Sequence, residues 1–212
     1  MEMILFLEIA SFILTGVLVL HSVRMRGVPF TLLFFITGGI LGVVRENIIA
    51  AFTDLYQYNT AVFTLWIGHA PAILLVFWSF TVYISMSLSE QVVSGDLPNG
   101  KRIIPVILLS MVCMGIYACF NEAMASSFPM VLWKLQPDLV IWGDAPVMVI
   151  FGYAGLAGII LPVLYLIHRR PWKTWVKVTS GALSTLVIIP LHLAWIALVR
   201  FPIQAVLQAL SM

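Results

Sequence analysis

Charge is what this sequence has least of. Of its 212 residues only 9% are Asp, Glu, Lys or Arg, while 62% are hydrophobic and the mean hydropathy is +1.07. A soluble domain carries roughly a quarter charged residues, so a soluble globular fold is excluded. A net charge of +2 is too small to suit nucleic acid. Cysteine is nearly absent. Cys113 and Cys119 lie six apart on one apolar run, a spacing that suits neither a disulfide nor a CxxC metal pair, so both read as core thiols. The first apolar run, Met3 to Leu20, has no basic segment before it and no small-residue cleavage site after it, as expected of a retained helix rather than a signal peptide. No low-complexity tract and no separate soluble domain interrupts the chain. No lysine lies inside an apolar run: Lys101, Lys134, Lys173 and Lys177 fall in loops or at span ends, which excludes a buried Schiff base and hence retinal chemistry.

Long apolar runs are what the sequence has in their place. Runs able to cross a bilayer, which takes roughly 20 residues, occur at about 3–23, 29–53, 61–88, 103–127, 139–167 and 175–199. The expected fold is an all-α polytopic membrane bundle of about six spans, one membrane domain over 1–212. The tail from Phe201 starts with a Phe-Pro break and is expected to be interfacial or a short seventh helix. Loops one, three and five hold Arg24 and Arg26, Lys101 and Arg102, then Arg169, Arg170, Lys173 and Lys177, against only Lys134 and Arg200 on the other side. The positive-inside rule then puts both termini outside the cytoplasm or in a lumen, in a plasma, inner or endoplasmic-reticulum membrane. His21 and His168, beside the basic loops, read as topological.

Deep in the second run stands Arg45-Glu46-Asn47. Gly38, Gly42 and Glu46 share one helix face, stripped of bulk and ending in a carboxylate. An ionisable group at that depth is costly and should face a partner, a cavity or a substrate. The pattern then returns. Glu46 is followed by Phe52, Tyr56, Tyr58, Trp66-Ile67-Gly68-His69-Ala70-Pro71 and Trp78; Glu122 by Phe128, Trp133, Ile141-Trp142-Gly143-Asp144-Ala145-Pro146 and Tyr153. These spacings predict a parallel tandem repeat, about 38–88 and 113–165, pairing spans two and three with four and five about an axis along the membrane normal. At 1.5 Å per residue, Glu46, His69, Glu122, Asp144 and His192 fall in one layer. The expected site is a pocket holding these five groups, walled by Phe52, Tyr56, Tyr58, Trp66, Phe128, Trp133, Trp142 and Trp195.

A carboxyl group desolvated among aromatics is driven toward its protonated form, as a general acid for a weakly basic carbon–carbon double bond requires. Ring faces can stabilise the carbocation so formed, and a second carboxylate or a His can end the reaction. Glu46 is the leading acid, with Glu122 or Asp144 its partner and His69 a further catalytic candidate; no metal, nucleotide or other cofactor is needed. The substrate class that fits is a lipid-soluble polyene or prenylated molecule arriving from the bilayer. Other readings stand beside this one. A buried carboxylate can serve only as helix glue, bonded to Arg45 or Asn121. Two His and three carboxylates also match zinc, iron or manganese, although no helix holds a Glu-x-x-His pair. Six spans with midspan ionisable groups suit a carrier as well.

The embedded Glu, Tyr56-x-Tyr58, Gly68-x-x-Pro71 and the aromatic seven residues later resemble the integral-membrane carotenoid-biosynthesis hydratases and the related lycopene-type cyclases. More distantly they resemble the membrane-bound terpene cyclases of meroterpenoid pathways. The resemblance covers about 38–153 and implies acid-initiated cyclisation or hydration of an isoprenoid, with Glu46 and Glu122 matching the embedded acids. Two departures stand out: the carotenoid enzymes tend to have a seventh span, and the meroterpenoid cyclases carry an acid in their last span, where this chain offers His192.

Overall fold

A computed structural model describes residues 2–93, 102–134 and 146–210. Six helices make up most of it: α1 (Glu2–Arg26), α2 (Val28–Phe52), α3 (Leu74–Val93), α4 (Ile103–Ser127), α5 (Met148–His168) and α6 (Thr174–Leu210). Five of them, all but α3, are long and apolar enough to cross a membrane. That is the helix set of a membrane protein. The only strands among the described residues are four short ones: β1 (Tyr56–Tyr58), β2 (Trp66–Ile67), β3 (Ala70–Pro71) and β4 (Val131–Trp133).

The helices begin and end for local reasons. Gly27, at φ 82°, turns the chain between α1 and α2, and Pro29 in the first turn of α2 has no N–H to leave unpaired. At the far end of α2 the Thr53 hydroxyl donates to the Ile49 carbonyl at 2.8 Å and the chain turns extended.

Glycine lets the helices pack closely. Gly38 and Gly42 let α2 lie directly on α3, where a Cβ on Gly38 would stand 2.6 Å from the Ser79 hydroxyl and one on Gly42 would run into the Leu74 carbonyl. On α6, Gly181 lies against Leu33 and Thr37 of α2, and Trp195 covers Gly155 of α5. The core between them includes Phe34 and Leu41 (α2), Trp78 and Tyr83 (α3), Met114 (α4), Leu156 and Ile160 (α5) and Ile188 (α6). In lipid such a core is held by close packing and interhelical hydrogen bonds rather than by exclusion of water.

Three expectations are corrected. The third span does not start at 61. Residues 53–73 instead fold as β1 and a β2–β3 hairpin, with α3 beginning at Leu74. Gly68 and Pro71, which fall inside the run expected to form the third span, belong to that hairpin: Trp66 pairs with Pro71 and Ile67 with Ala70, and Gly68 takes φ 65° in the two-residue turn. The hairpin is possible because Asn47 holds it, donating to the Ile67 carbonyl at 2.9 Å and accepting the His69 N–H at 2.6 Å. The Phe201-Pro202 break does not occur either. α6 runs through Pro190 and Pro202 to Leu210, each proline removing one backbone donor without ending the helix.

β1 and β4 pair antiparallel, Tyr56 with Trp133, Gln57 with Leu132 and Tyr58 with Val131. They lie where α2 and α4 end and α3 and α5 begin. At the opposite end of the bundle Arg26 pairs with Glu90, to which the Tyr165 hydroxyl also donates at 2.5 Å.

Candidate functional site

Beneath the β1–β4 pair, Glu46 is wholly buried and takes four donors. The hydroxyls of Tyr56 and Tyr58 both reach its Oε2 at 2.6 Å; alternate residues of one strand share a face, so the two phenols arrive side by side. The indole N–H of Trp78 reaches Oε1 at 2.9 Å, and the guanidinium of Arg45 completes the set. Four donors on two oxygens leave no site for a carboxyl proton, so Glu46 is held as an acceptor-only carboxylate.

Arg45 is itself fixed. Its Nε–H donates to His192 Nδ1 at 3.0 Å and its charge lies 5.0 Å from the centre of the Trp78 ring. Because Nδ1 must accept from arginine, the His192 proton is on Nε2, which donates to the Gly152 carbonyl at 2.8 Å. Both imidazole nitrogens are thereby used and the ring is neutral. Burial, and next the negative charge of Glu46, push the phenols of Tyr56 and Tyr58 well above their ordinary value, so both remain donors.

Beside this network opens a cavity of about 210 Å³, roomier than the ~150 Å³ apolar void that admits a benzene ring. Most of its wall is apolar or aromatic, with Phe63, Phe77, Trp78 and Trp133 prominent, and Tyr56, Tyr58 and Arg45 form part of it. Glu46 does not line it. Glu122 does, and its circumstances are the reverse of those of Glu46. One oxygen, Oε1, accepts from Tyr153 at 3.0 Å and from Asn121 at 3.3 Å, while Oε2 is buried without a hydrogen-bond partner among the described residues. The Tyr153 ring that holds Oε1 packs 4.8 Å from that of Trp78.

The structure therefore divides the expected set. Glu122, Tyr56, Tyr58 and Trp133 line the cavity, and His192 stands one bond behind it through Arg45. His69 does not join them; it sits exposed in the turn of the β2–β3 hairpin. Phe52 is 83% exposed and Phe128 is exposed too; Trp66, which donates to the carbonyl of the wall residue Phe63, and Trp195, which donates to the Phe151 carbonyl, do not themselves line the cavity. Asp144 and Trp142 lie outside the described residues. Among those described, no three His, Cys, Asp or Glu side chains are placed to hold a metal ion together.

Sequence reasoning passed over one residue altogether. Glu8, on α1, is 2% exposed and lines the same cavity. The signal was there to read, since an acid in an apolar span is a candidate by the rule that singled out Glu46.

No protein-family model, no curated protein and no solved structure matches this chain.

Proposed function

We propose that this chain is an integral-membrane enzyme that cyclises or hydrates an isoprenoid lipid by proton-initiated chemistry, with Glu122 as the proton donor. The observation that carries the reading is the unpartnered, buried Oε2 of Glu122 in the wall of an apolar, aromatic-rich cavity. An unsatisfied carboxylate oxygen in such a place is costly, whereas a carboxyl proton directed at a bound alkene turns that cost into reactivity. Aromatic faces nearby suit a developing carbocation. Glu46, first in line on sequence grounds, fits better as the anchor that fixes Arg45, Trp78 and the two tyrosines in the wall.

We further infer six crossings, with α3 among them, and a two-fold repeat. A shift of 75 residues carries α2 onto α4 end for end, Val28 onto Ile103 and Phe52 onto Ser127. Three residues then touch their own counterparts: Gln57 pairs with Leu132, Trp78 packs on Tyr153, and Glu90 accepts from Tyr165. Self-paired residues at three depths support a two-fold axis through all of them. Under this shift Glu46 falls on Asn121 and Asn47 on Glu122, so the two halves carry Glu-Asn in opposite order. That exchange supports different roles for the two acids.

The test is to incubate the detergent-solubilised protein with polyene and prenylated lipids in deuterated water and analyse the products by mass spectrometry. Deuterium should enter a cyclised or hydrated product, and Glu122→Gln should lower turnover by about 10²–10⁴-fold, the usual contribution of a general acid. Undiminished turnover in that variant removes Glu122 from the mechanism. A panel in which nothing is converted overturns the isoprenoid reading.

A further inference from the structure

The cavity holds a carboxylate for which the acid step has no use. Both oxygens of Glu8 share a single backbone donor, the N–H of Thr64, at 3.3 Å each. Among the described residues nothing else bonds to it, whereas Glu46 gathers four donors. One long, divided hydrogen bond does little to offset burial of a carboxylate. Tying α1 to the loop at Thr64 needs no charge, because an amide oxygen would accept the same N–H. Ser11, one turn further along α1, also lines the cavity, while Phe6, Ile9 and Ile13 are exposed on its other faces. The polar side of α1 thus faces inward, onto the same space as Glu122.

We propose that Glu8 is the base that ends the reaction Glu122 begins, an assignment that rests on the isoprenoid reading above. Glu122 gives its proton to one carbon of an alkene, whose π pair becomes the new C–H bond and leaves a carbocation. A second alkene of the same molecule closes the ring with its own π pair. Glu8 then takes the proton next to the displaced cation, the C–H pair becomes a double bond, and the proton returns from Glu8 to Glu122 before the next turnover. Substrate and product are isomers. No oxidant, reductant or co-reactant is consumed.

Two measurements test this. In a background with Cys113→Ala and Cys119→Ala, Glu8→Cys and Glu122→Cys are labelled with N-ethylmaleimide, with and without geranylgeraniol. Protection at both positions is the expected result. Protection at Glu122→Cys alone overturns the base assignment and leaves the isoprenoid reading standing; protection at neither overturns both. For any isoprenoid the wild type converts, Glu8→Gln should lower kcat by about 10²-fold or more with little change in KM. It should also divert product toward alcohols, as water captures a cation that has lost its base, and Glu8→Asp should restore part of the cyclised product. Glu8→Gln retains an acceptor for Thr64, so a variant that folds and gives wild-type turnover and products sinks the proposal.

Discussion

Replacing one carboxylate oxygen by an amide should have opposite consequences at Glu46 and Glu122. In Glu46→Gln the buried Arg45 loses its counter-charge, and two of the four donors lose their acceptor, because each carboxylate oxygen takes two of them. Breaking a buried pair from one side costs about 3–5 kcal/mol. Thermal unfolding in detergent should show a marked fall in Tm for this variant, and an unchanged Tm would mean that Arg45 finds another partner. Glu122→Gln removes no ion pair and should shift stability by less than about 1 kcal/mol, so its loss of turnover can be read as chemistry.

The tyrosines add a pH signature. Below about pH 10, the ordinary phenol value, both are protonated folded or unfolded and their contribution is whole. As pH rises past that value the unfolded chain gives up protons that the folded chain retains, so stability falls. Unfolding followed from about pH 8 to 11 should therefore show an alkaline loss of stability, shallower in Tyr56→Phe/Tyr58→Phe. Equal slopes would contradict the buried-donor geometry. Glu46 and His192 could be set at one depth from the sequence because helix rise fixes it, with Tyr56, Tyr58 and Trp133 added as its aromatic wall. Which of them would consume the others' hydrogen bonds could not be read, because that depends on how 53–73 folds.

Among the elements, α2 and α3 are held by an approach so close that glycine is required. A Cβ on Gly42 would strike the Leu74 backbone carbonyl, which cannot rotate aside, whereas one on Gly115 of α4 would meet the Ile150 Cγ2 methyl at 3.2 Å, where a side chain can yield. Gly42→Ala should therefore destabilise by about 1–3 kcal/mol and Gly115→Ala by far less, as thermal unfolding of the two variants side by side would measure; equal effects would mean that α2 can back away from α3. The Gly38-Gly42-Glu46 face was legible because bulk is written directly in residue type. α4 was legible too, its ends falling at 103 and 127 as the apolar run does. The hairpin at 66–71 was not, because Trp66-Ile67 and Ala70-Pro71 extend an apolar stretch without a visible break. The pairing across the turn and the grip of Asn47, 20 residues away from Ile67, are what hold those residues extended.

For the whole molecule the decisive quantity is the parity of crossings. α3 falls short of the hydropathy of its five companions because of Ser79, Ser85, Ser87 and Ser89 and, at its end, Glu90 and Gln91. Ser79, Ser85, Ser89 and Glu90 are buried against neighbouring helices, the exposed Gln91 lies in the last turn, and the 20 residues of α3 span about 30 Å, the thickness of a hydrocarbon core. A helix whose mid-span polar groups are buried inside a bundle, with its exposed polar group at an end, can cross without being apolar throughout. Six crossings return the end of α6 to the side on which α1 starts; five leave the two ends on opposite sides. If the basic loops also lie inside, as the positive-inside rule expects, alkaline phosphatase, active only outside the cytoplasm, should report when fused before Glu2 or after Leu210. A fluorescent protein that matures only inside should report when inserted at 94–101. Opposite readings from the two ends would mean that α3 does not cross. Glu46 and Glu122 would then approach from opposite faces of the membrane, and the cavity that Trp78 and Tyr153 enclose together could not form.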